Sequence, residues 1–420
     1  MSFVQKHSGI LVLGTLVLYL LSLIFNSLFV ASAMIAWLAN LALWNGLSRG
    51  AKRQSSWLFL IGLSCLVFAA SHGVWMNWQQ VFAANLPMLA MFVAVSFLDL
   101  TNSKDSDTSL PKGSKAIFNT ALGVQVLGAV INLSVIMVFA DRMKGKFQLS
   151  PTQQYILTRN FSAAAWWSPF FVATGVAITY SPGMAWQETV LPGLLMGLIA
   201  VIYSSIEANR TSKDTFQGYP LRKESLIIPL FLACAVIIAH FISPNISILV
   251  LICILAPSSA ILLMRSKPRQ STLIHFVQNK LPQVGSQFAL FLAAGVFSSG
   301  IAAVIQSFPN AINFDNLDFN AWLFAGILAA MIIAGMIGIH PVVSVAIISP
   351  LILPLAPNPS QLGFLFLSAW AISAGSSGLT GLGLLMTSRY GIATKTIVKN
   401  SYHYAICMWL LCSLVNVFYF

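Results

Sequence analysis

One cation stands apart from all the others in this chain. Arg159 is followed at once by Asn160-Phe161-Ser162-Ala163-Ala164-Ala165-Trp166-Trp167-Ser168-Pro169, whereas the rest of the 22 Lys and Arg residues lie near the chain start or in short polar stretches between apolar runs. A cation at the edge of hydrocarbon has two uses. Either Arg159 snorkels at the start of a helix with Asn160 as its cap, or it marks the tip of a re-entrant hairpin or broken helix. In the second case Arg159, Asn160, Ser162 and the freed amides converge on an anion or on sodium. A second segment is similar in make-up. Gly338-Ile339-His340-Pro341 precedes an apolar run that contains Ser344 and ends in Ser349-Pro350, and the first run likewise ends in Ser168-Pro169. Two interrupted segments in corresponding places of two halves point to the midplane site of a transporter.

A third feature follows. Residues 372–383 carry four glycines and four hydroxyl residues, among them Ser376, Ser377, Gly378 and Thr380, inside an otherwise apolar run. Such a stretch is costly as a continuous helix. It is either unwound, with carbonyls and hydroxyls lining a cavity, or a small-residue surface for close helix packing. A sodium ion would then lie near Asn160 and Gly378. The first-half counterpart is placed at residues 175–183, with Thr179, Ser181 and Pro182.

The acidic residues limit the chemistry. All ten Asp and Glu fall in loops or at segment ends, and a proton-coupled cation exchanger needs a carboxylate within the membrane. Arg159 and His340 favour an anionic substrate. Coupling to sodium would use carbonyl and hydroxyl oxygens, and coupling to protons would use His340 or the substrate itself. No cofactor is implied. His72 and His240 read as interhelical hydrogen-bonders, and no two histidines show metal-ligand spacing. The five cysteines lie in apolar runs and read as buried hydrophobes. Trp166 and Trp167 either wall the cavity or pack against lipid or within the bundle.

In these features the chain resembles the ion transporter superfamily, which includes divalent-anion/sodium symporters, arsenite antiporters and the large membrane subunits of TRAP transporters. The resemblance implies inverted repeats, each with a re-entrant hairpin and a helix broken at the midplane. It also implies hairpin tips carrying a Ser-Asn-Thr type motif before small residues and a proline. Arg159-Asn160-Phe161-Ser162 stands where that motif would, so Asn160 carries over directly. Arg159 replaces the usual Ser, and the second tip has Gly-Ile-His-Pro, so His340 and Ser344 carry over by position.

The elements that must hold these residues are membrane spans. With 58% hydrophobic and 8% charged residues, against about 25% charged in soluble domains, a water-soluble fold is excluded. The formal charge of +12 sits in short loops that set topology, so nucleic acid is not the partner. Arg49–Arg53, Lys104–Lys115, Arg142–Lys146, Arg210–Lys223, Arg265–Lys280 and Arg389–Lys399 are placed in the cytoplasm, and residues 181–187 and 307–320 outside. The apolar N-terminal run reads as a retained anchor rather than a cleaved signal. About 10–12 transmembrane helices are expected. Residues 117–140 and 161–181 count among the spans, and residues 342–355 are too short to cross. Strict inversion would put two cationic loops outside, so either residues 117–140 do not cross or a segment is miscounted.

The reading is therefore an all-α polytopic membrane protein with two pseudo-symmetric halves. Residues 1–56 form an N-terminal helix pair with a cationic loop, 57–207 a first repeat, 208–225 a cytoplasmic linker and 226–420 a second repeat. It is expected in a bacterial cytoplasmic (inner) membrane, as a secondary transporter of a small organic or inorganic anion, among membrane lipids and compatible with a homodimer. Arg159, Asn160, Ser162, His340, Ser344, Ser376, Ser377 and Thr380 line its site. The alternatives are a lipid-linked substrate flippase or channel, and an integral membrane glycan or lipid transferase. On the transporter reading, Arg159→Ala abolishes uptake in proteoliposomes while membrane insertion is retained.

Overall fold

The structure, a computed structural model, describes residues 3–101, 109–131, 133–144, 148–220, 223–243, 245–264, 268–308 and 318–420. The described residues fold as helices, in the order α1 (Phe3–Ser22), α2 (Leu28–Leu43), α3 (Arg49–Ser71), α4 (Trp78–Ala83), α5 (Leu86–Ser96), α6 (Ser114–Ile131), α7 (Ser134–Lys144), α8 (Pro151–Ala163), α9 (Val172–Tyr180) and α10 (Trp186–Ser212). There follow α11 (Lys223–Ile242), α12 (Ile248–Leu263), α13 (Arg269–His275), α14 (Gly285–Ser307), α15 (Ala321–Met336), α16 (Pro341–Ile352), α17 (Pro359–Ser376), α18 (Gly381–Tyr390) and α19 (Thr394–Tyr419). The all-α fold is the one the composition requires. Among the described residues, seven helices are long and apolar enough to cross a membrane, and five shorter apolar helices accompany them. Many large apolar side chains on these helices are exposed, among them Trp57, Leu191, Trp322 and Leu410. Lipid is the solvent for such faces.

The chain forms two compact units, each drawn from both halves of the sequence. One comprises Met1–Asn102, Cys234–Asp318 and Ala346–Leu355; the other comprises Ser103–Ala233, Phe319–Val345 and Ala356–Phe420. In the first unit α1 packs along α2, where the Ser32 hydroxyl donates to the Thr15 carbonyl at 2.8 Å. Helix α3 also crosses α14 at close range. A Cβ at Gly62 would lie 2.6 Å from the Phe297 Cα, and one at Gly300 would overlap the Gly62 carbonyl. Neither position has room for a side chain, so the two backbones touch in the manner of small-residue membrane contacts.

The second unit contains every candidate site residue. Two runs of helices in it follow one order: a helix pair, a broken helix and a long helix. The first run is α6 and α7, then α8 and α9, then α10; the second is α15 and α16, then α17 and α18, then α19, with the latter part of α16 belonging to the first unit. Two expected spans are therefore corrected. Residues 117–140 are two helices, α6 ending at Ile131 and α7 beginning at Ser134. Residues 161–181 are cut by non-helical backbone at 167–171. Pro169 explains the second cut, since it has no N–H to donate and disfavours helix at Ser168.

The α3–α14 crossing generates a clean test. Gly62→Val and Gly300→Val are expected to abolish the monodisperse peak in detergent size-exclusion chromatography. Gly326→Ala, at a position with nothing within 4 Å of the added carbon, should leave that peak unchanged.

Candidate functional site

Helix α8 carries the first group of candidate residues, and its start is strongly specified. Ser150 caps it, accepting from the Gln153 amide at 3.2 Å, while the Gln153 side chain accepts from the Ser150 amide at 2.9 Å. Pro151 occupies the first turn, where its missing N–H does no harm. From that start the helix runs unbroken to Ala163, so the expected tip at Arg159 and Asn160 is corrected: both lie inside the helix. The polar side chains of Asn160 and Ser162 turn back on the helix instead. Asn160 Nδ2 donates to the Ile156 carbonyl at 2.9 Å, and Ser162 Oγ donates to the Arg159 carbonyl at 3.0 Å. Short polar side chains can satisfy themselves on the preceding turn, which is why polarity here does not unwind the backbone.

The Arg159 side chain is fully buried and faces α10 and α19. Its Nη1 donates to Glu207 Oε2 at 2.7 Å and its Nη2 to Glu207 Oε1 at 3.3 Å, a bidentate pair. Nη2 also donates to the Asn400 carbonyl. The Tyr155 and Tyr404 rings lie 4.3 and 4.9 Å from the guanidinium carbon, a cation–π enclosure. Glu207 is the partner that sequence reasoning missed, having placed it at a segment end. The signal was available, because a cation in a membrane helix requires a counter-charge, and Glu207 directly follows the apolar run that ends at Ile206, still inside α10. Glu207 also borders a cavity of about 800 Å³ lined by Ser150, Tyr155, Tyr203, Arg210, Lys399 and His403 among others.

The second group sits on two backbone interruptions. Helix α15 ends in a Schellman motif: Ile339 N–H bonds to the Ala334 carbonyl at 2.9 Å and Gly338 N–H to the Gly335 carbonyl at 3.1 Å. Gly338 takes φ +107°, a conformation that suits glycine. His340 then starts α16. Its Nδ1 accepts from the Val342 amide at 3.3 Å and its carbonyl from the Val343 amide at 2.8 Å. With Nδ1 accepting, the neutral ring carries its proton on Nε2. The ring stands edge-on to Trp370 with centroids 5.4 Å apart.

The other interruption separates α17 from α18 at residues 377–380. Thr380 holds it. Its hydroxyl donates to the Ala374 carbonyl at 3.1 Å or the Ser377 carbonyl at 3.2 Å, and accepts from the Gly383 amide at 3.3 Å. Ser377 Oγ accepts from the Leu379 amide at 3.2 Å. A Cβ at Gly383 would overlap the Ser377 carbonyl, so the return of the chain needs glycine there. The first-half break lies at 167–171, upstream of the 175–183 stretch expected. There Ser168 Oγ accepts from the Phe170 amide, and Thr179 and Gly175 fall within helix α9.

These pieces converge. A Cβ at Gly375 would overlap Ser162 Oγ and lie 3.1 Å from the Thr158 carbonyl, so α8 and α17 cross one residue before Ser376. A Cβ at Gly338 would lie 2.6 Å from Leu379, so the turn before His340 abuts the break. Asn160 Oδ1, Ser344 Oγ and Ser376 Oγ are buried without a hydrogen-bond partner. Asn160, Ser162, Ser376, Ser377 and Thr380 thus gather around the α8–α17 crossing and the break, with His340 and Ser344 on the element whose turn meets it. The Arg159 guanidinium is directed elsewhere, to α10 and α19. Among the described residues no three His, Cys, Asp or Glu side chains form a metal-holding group, so a cation near Asn160 and Gly378 would rest on carbonyl, amide and hydroxyl oxygens.

No family model and no curated protein sequence matches the chain. Among solved structures it is similar to the YdaH transporter of Alcanivorax borkumensis, with a TM-score of 0.45 and 13% identity, over 86% of this chain and 87% of that one.

The two partners of the ion pair differ in burial: the Arg159 side chain is 0% exposed and that of Glu207 is 35% exposed. Removing the carboxylate strands a buried cation, which costs about 3 kcal/mol or more, whereas removing the cation leaves a carboxylate that cavity water can solvate. Glu207→Gln should therefore lower the melting temperature in detergent more than Arg159→Met does. The double variant should recover most of the loss; an equal or deeper loss in the double variant would contradict the pairing.

Proposed function

We propose that the chain is a secondary active transporter that moves a small organic or inorganic anion across a bacterial cytoplasmic (inner) membrane by alternating access. The observation that carries this reading is the meeting of two backbone interruptions, residues 337–340 and 377–380, beside buried oxygens that lack partners. Non-helical backbone at membrane depth is tolerated only where protein buries it or a water-filled cavity borders it, and transporters use such interruptions to hold substrates and ions. The recurrence of helix pair, broken helix and long helix, over residues 114–212 and 321–419, supports two related halves. Broken helices are also part of what the resemblance to the ion transporter superfamily implies, although the first hairpin tip it implies, at Arg159–Ser162, falls inside α8.

In this reading the Ser344 and Ser376 hydroxyls and the His340 Nε2–H donate to the anion. Ser377 and Thr380 hold the break in shape, and Ser162 supports the crossing of α8 with α17. Arg159 is neutralised by Glu207, so it contributes no net charge to the site in this conformation. The charge of the anion is then balanced by a coupled sodium at Asn160 Oδ1 and the carbonyls near Gly378, or by a proton taken up with the substrate. The cavity bordered by Arg210, Lys399 and His403 is an approach whose positive field concentrates anions.

The reading is tested by thermal-shift measurements on the purified protein, crossing sodium or pH steps with a panel of small carboxylates and oxyanions. One class should stabilise the wild type. Ser376→Ala should weaken its apparent affinity about tenfold, the size of one hydrogen bond to a charged group, while leaving the unliganded melting temperature within a degree. Silence across the panel together with stabilisation by polyprenyl phosphates would replace this reading with a lipid-linked flippase or transferase.

A further inference from the structure

The first compact unit contains a groove that the transport reading does not use. One cavity of about 430 Å³ is lined by Trp37, Asn40, Trp44, Ser55, Ser56 and Phe59 among others, and a second of about 380 Å³ by Val30, Met34 and Trp78 among others. Trp37, Leu41 and Phe82 border both, so the two form one groove along α2. From Val30 to Asn40 the groove follows ten residues of helix, about 15 Å. Trp37 is fixed as its inner wall: its Nε1 donates to the Phe82 carbonyl at 3.0 Å, and its ring stands edge-on to Phe59 and Phe82.

Two polar atoms interrupt this apolar lining. Asn40 Oδ1 and Ser55 Oγ are buried, their residues 5% and 2% exposed, and neither atom has a hydrogen-bond partner. Packing alone does not account for two such oxygens on residues that line one apolar cavity, because each unpaired buried polar group is destabilising. Both lie close to the same end of the groove. Asn40 is three residues from the end of α2, and Ser55 is six residues from the start of α3. At that end the cations gather. Arg49 and Lys52 precede Ser56 by seven and four residues, so they continue the groove-lining face of α3 to its N-terminus, with Arg53 exposed beside them.

We propose that this groove binds an anionic glycerophospholipid whose headgroup carries free hydroxyls, the phosphatidylglycerol class. An acyl chain follows α2 past Trp37, an ester carbonyl accepts from the Ser55 hydroxyl, the phosphate meets Arg49 and Lys52, and the headgroup glycerol folds back so that one of its hydroxyls donates to Asn40 Oδ1. The chemistry of the two orphan oxygens selects this class. Asn40 Oδ1 only accepts, so its partner must bring an O–H or N–H, while the Ser55 hydroxyl can donate to an ester carbonyl. The cation cluster favours a net negative headgroup over a zwitterionic one. This site is independent of the transport reading and of every residue used in it.

The test is native mass spectrometry of delipidated protein mixed with phosphatidylglycerol or phosphatidylcholine of identical chains. Wild type should retain phosphatidylglycerol at least tenfold better. Arg49→Gln/Lys52→Gln should lose that preference, and Asn40→Leu should lower phosphatidylglycerol retention while leaving the weaker phosphatidylcholine retention unchanged. The charge variant alters only α3's first turn, so it keeps the test alive should Asn40→Leu fail to fold. Equal retention of the two lipids by wild type would overturn the proposal. So would an unchanged preference in the charge variant, or full displacement of the lipid by soluble glycerol phosphate. If the substitutions convert a dimer to a monomer and leave lipid preference intact, the groove is a contact between copies and the proposal fails.

Discussion

Hydrocarbon supplies no hydrogen bonds, and this fixes how the second unit must be built. Wherever its chain leaves the helix, the freed amides and carbonyls need partners from within the protein. Each interruption has its own local repair. At 167–171 the Ser168 hydroxyl accepts one amide, and the Ser168 carbonyl receives the Thr174 hydroxyl at 2.6 Å. At 377–380 the Thr380 hydroxyl closes one helix and opens the next. At 337–340 the end of α15 is completed by a left-handed glycine and the start of α16 by an imidazole. Hydroxyl residues and glycine are thus structural necessities at these points before they are candidates for anything else. The oxygens left without partners near these points, on Asn160, Ser344 and Ser376, are available to something foreign.

The same constraint explains the ion pair. A guanidinium held at 0% exposure cannot persist without a counter-charge and further acceptors, and Arg159 draws these from two other helices. Glu207 belongs to α10 and the Asn400 carbonyl to α19, while Asn400 Nδ2 returns to Gln154 of α8 at 3.1 Å. Three helices are thereby tied at one point by groups that would each be costly alone. The pair reads better as a fastening than as an empty anion trap.

Much of this was legible from local pattern, and the rest was not, for a physical reason. The recurring apolar runs dictate an all-helical membrane fold. The density of glycine and hydroxyl residues marks the α17–α18 break, and Gly-Ile-His-Pro marks the turn before α16, because both are decided within a few residues of chain. The conformation of Arg159-Asn160-Phe161-Ser162 is not decided locally. Whether polar residues in an apolar run unwind or stay helical depends on the helices around them, and Glu207 lies 48 residues away. The joint between α6 and α7 was hidden for a different reason: hydropathy over residues 117–140 barely dips there.

The contact of Gly338 with Leu379 has a mechanical consequence. With 2.6 Å between the position a Cβ would take and the Leu379 side chain, residue 338 must be glycine for want of space as well as for its positive φ. The turn before α16 and the break between α17 and α18 are therefore in van der Waals contact through a residue with no side chain to trim, and a larger group at 338 would strain both interruptions at once.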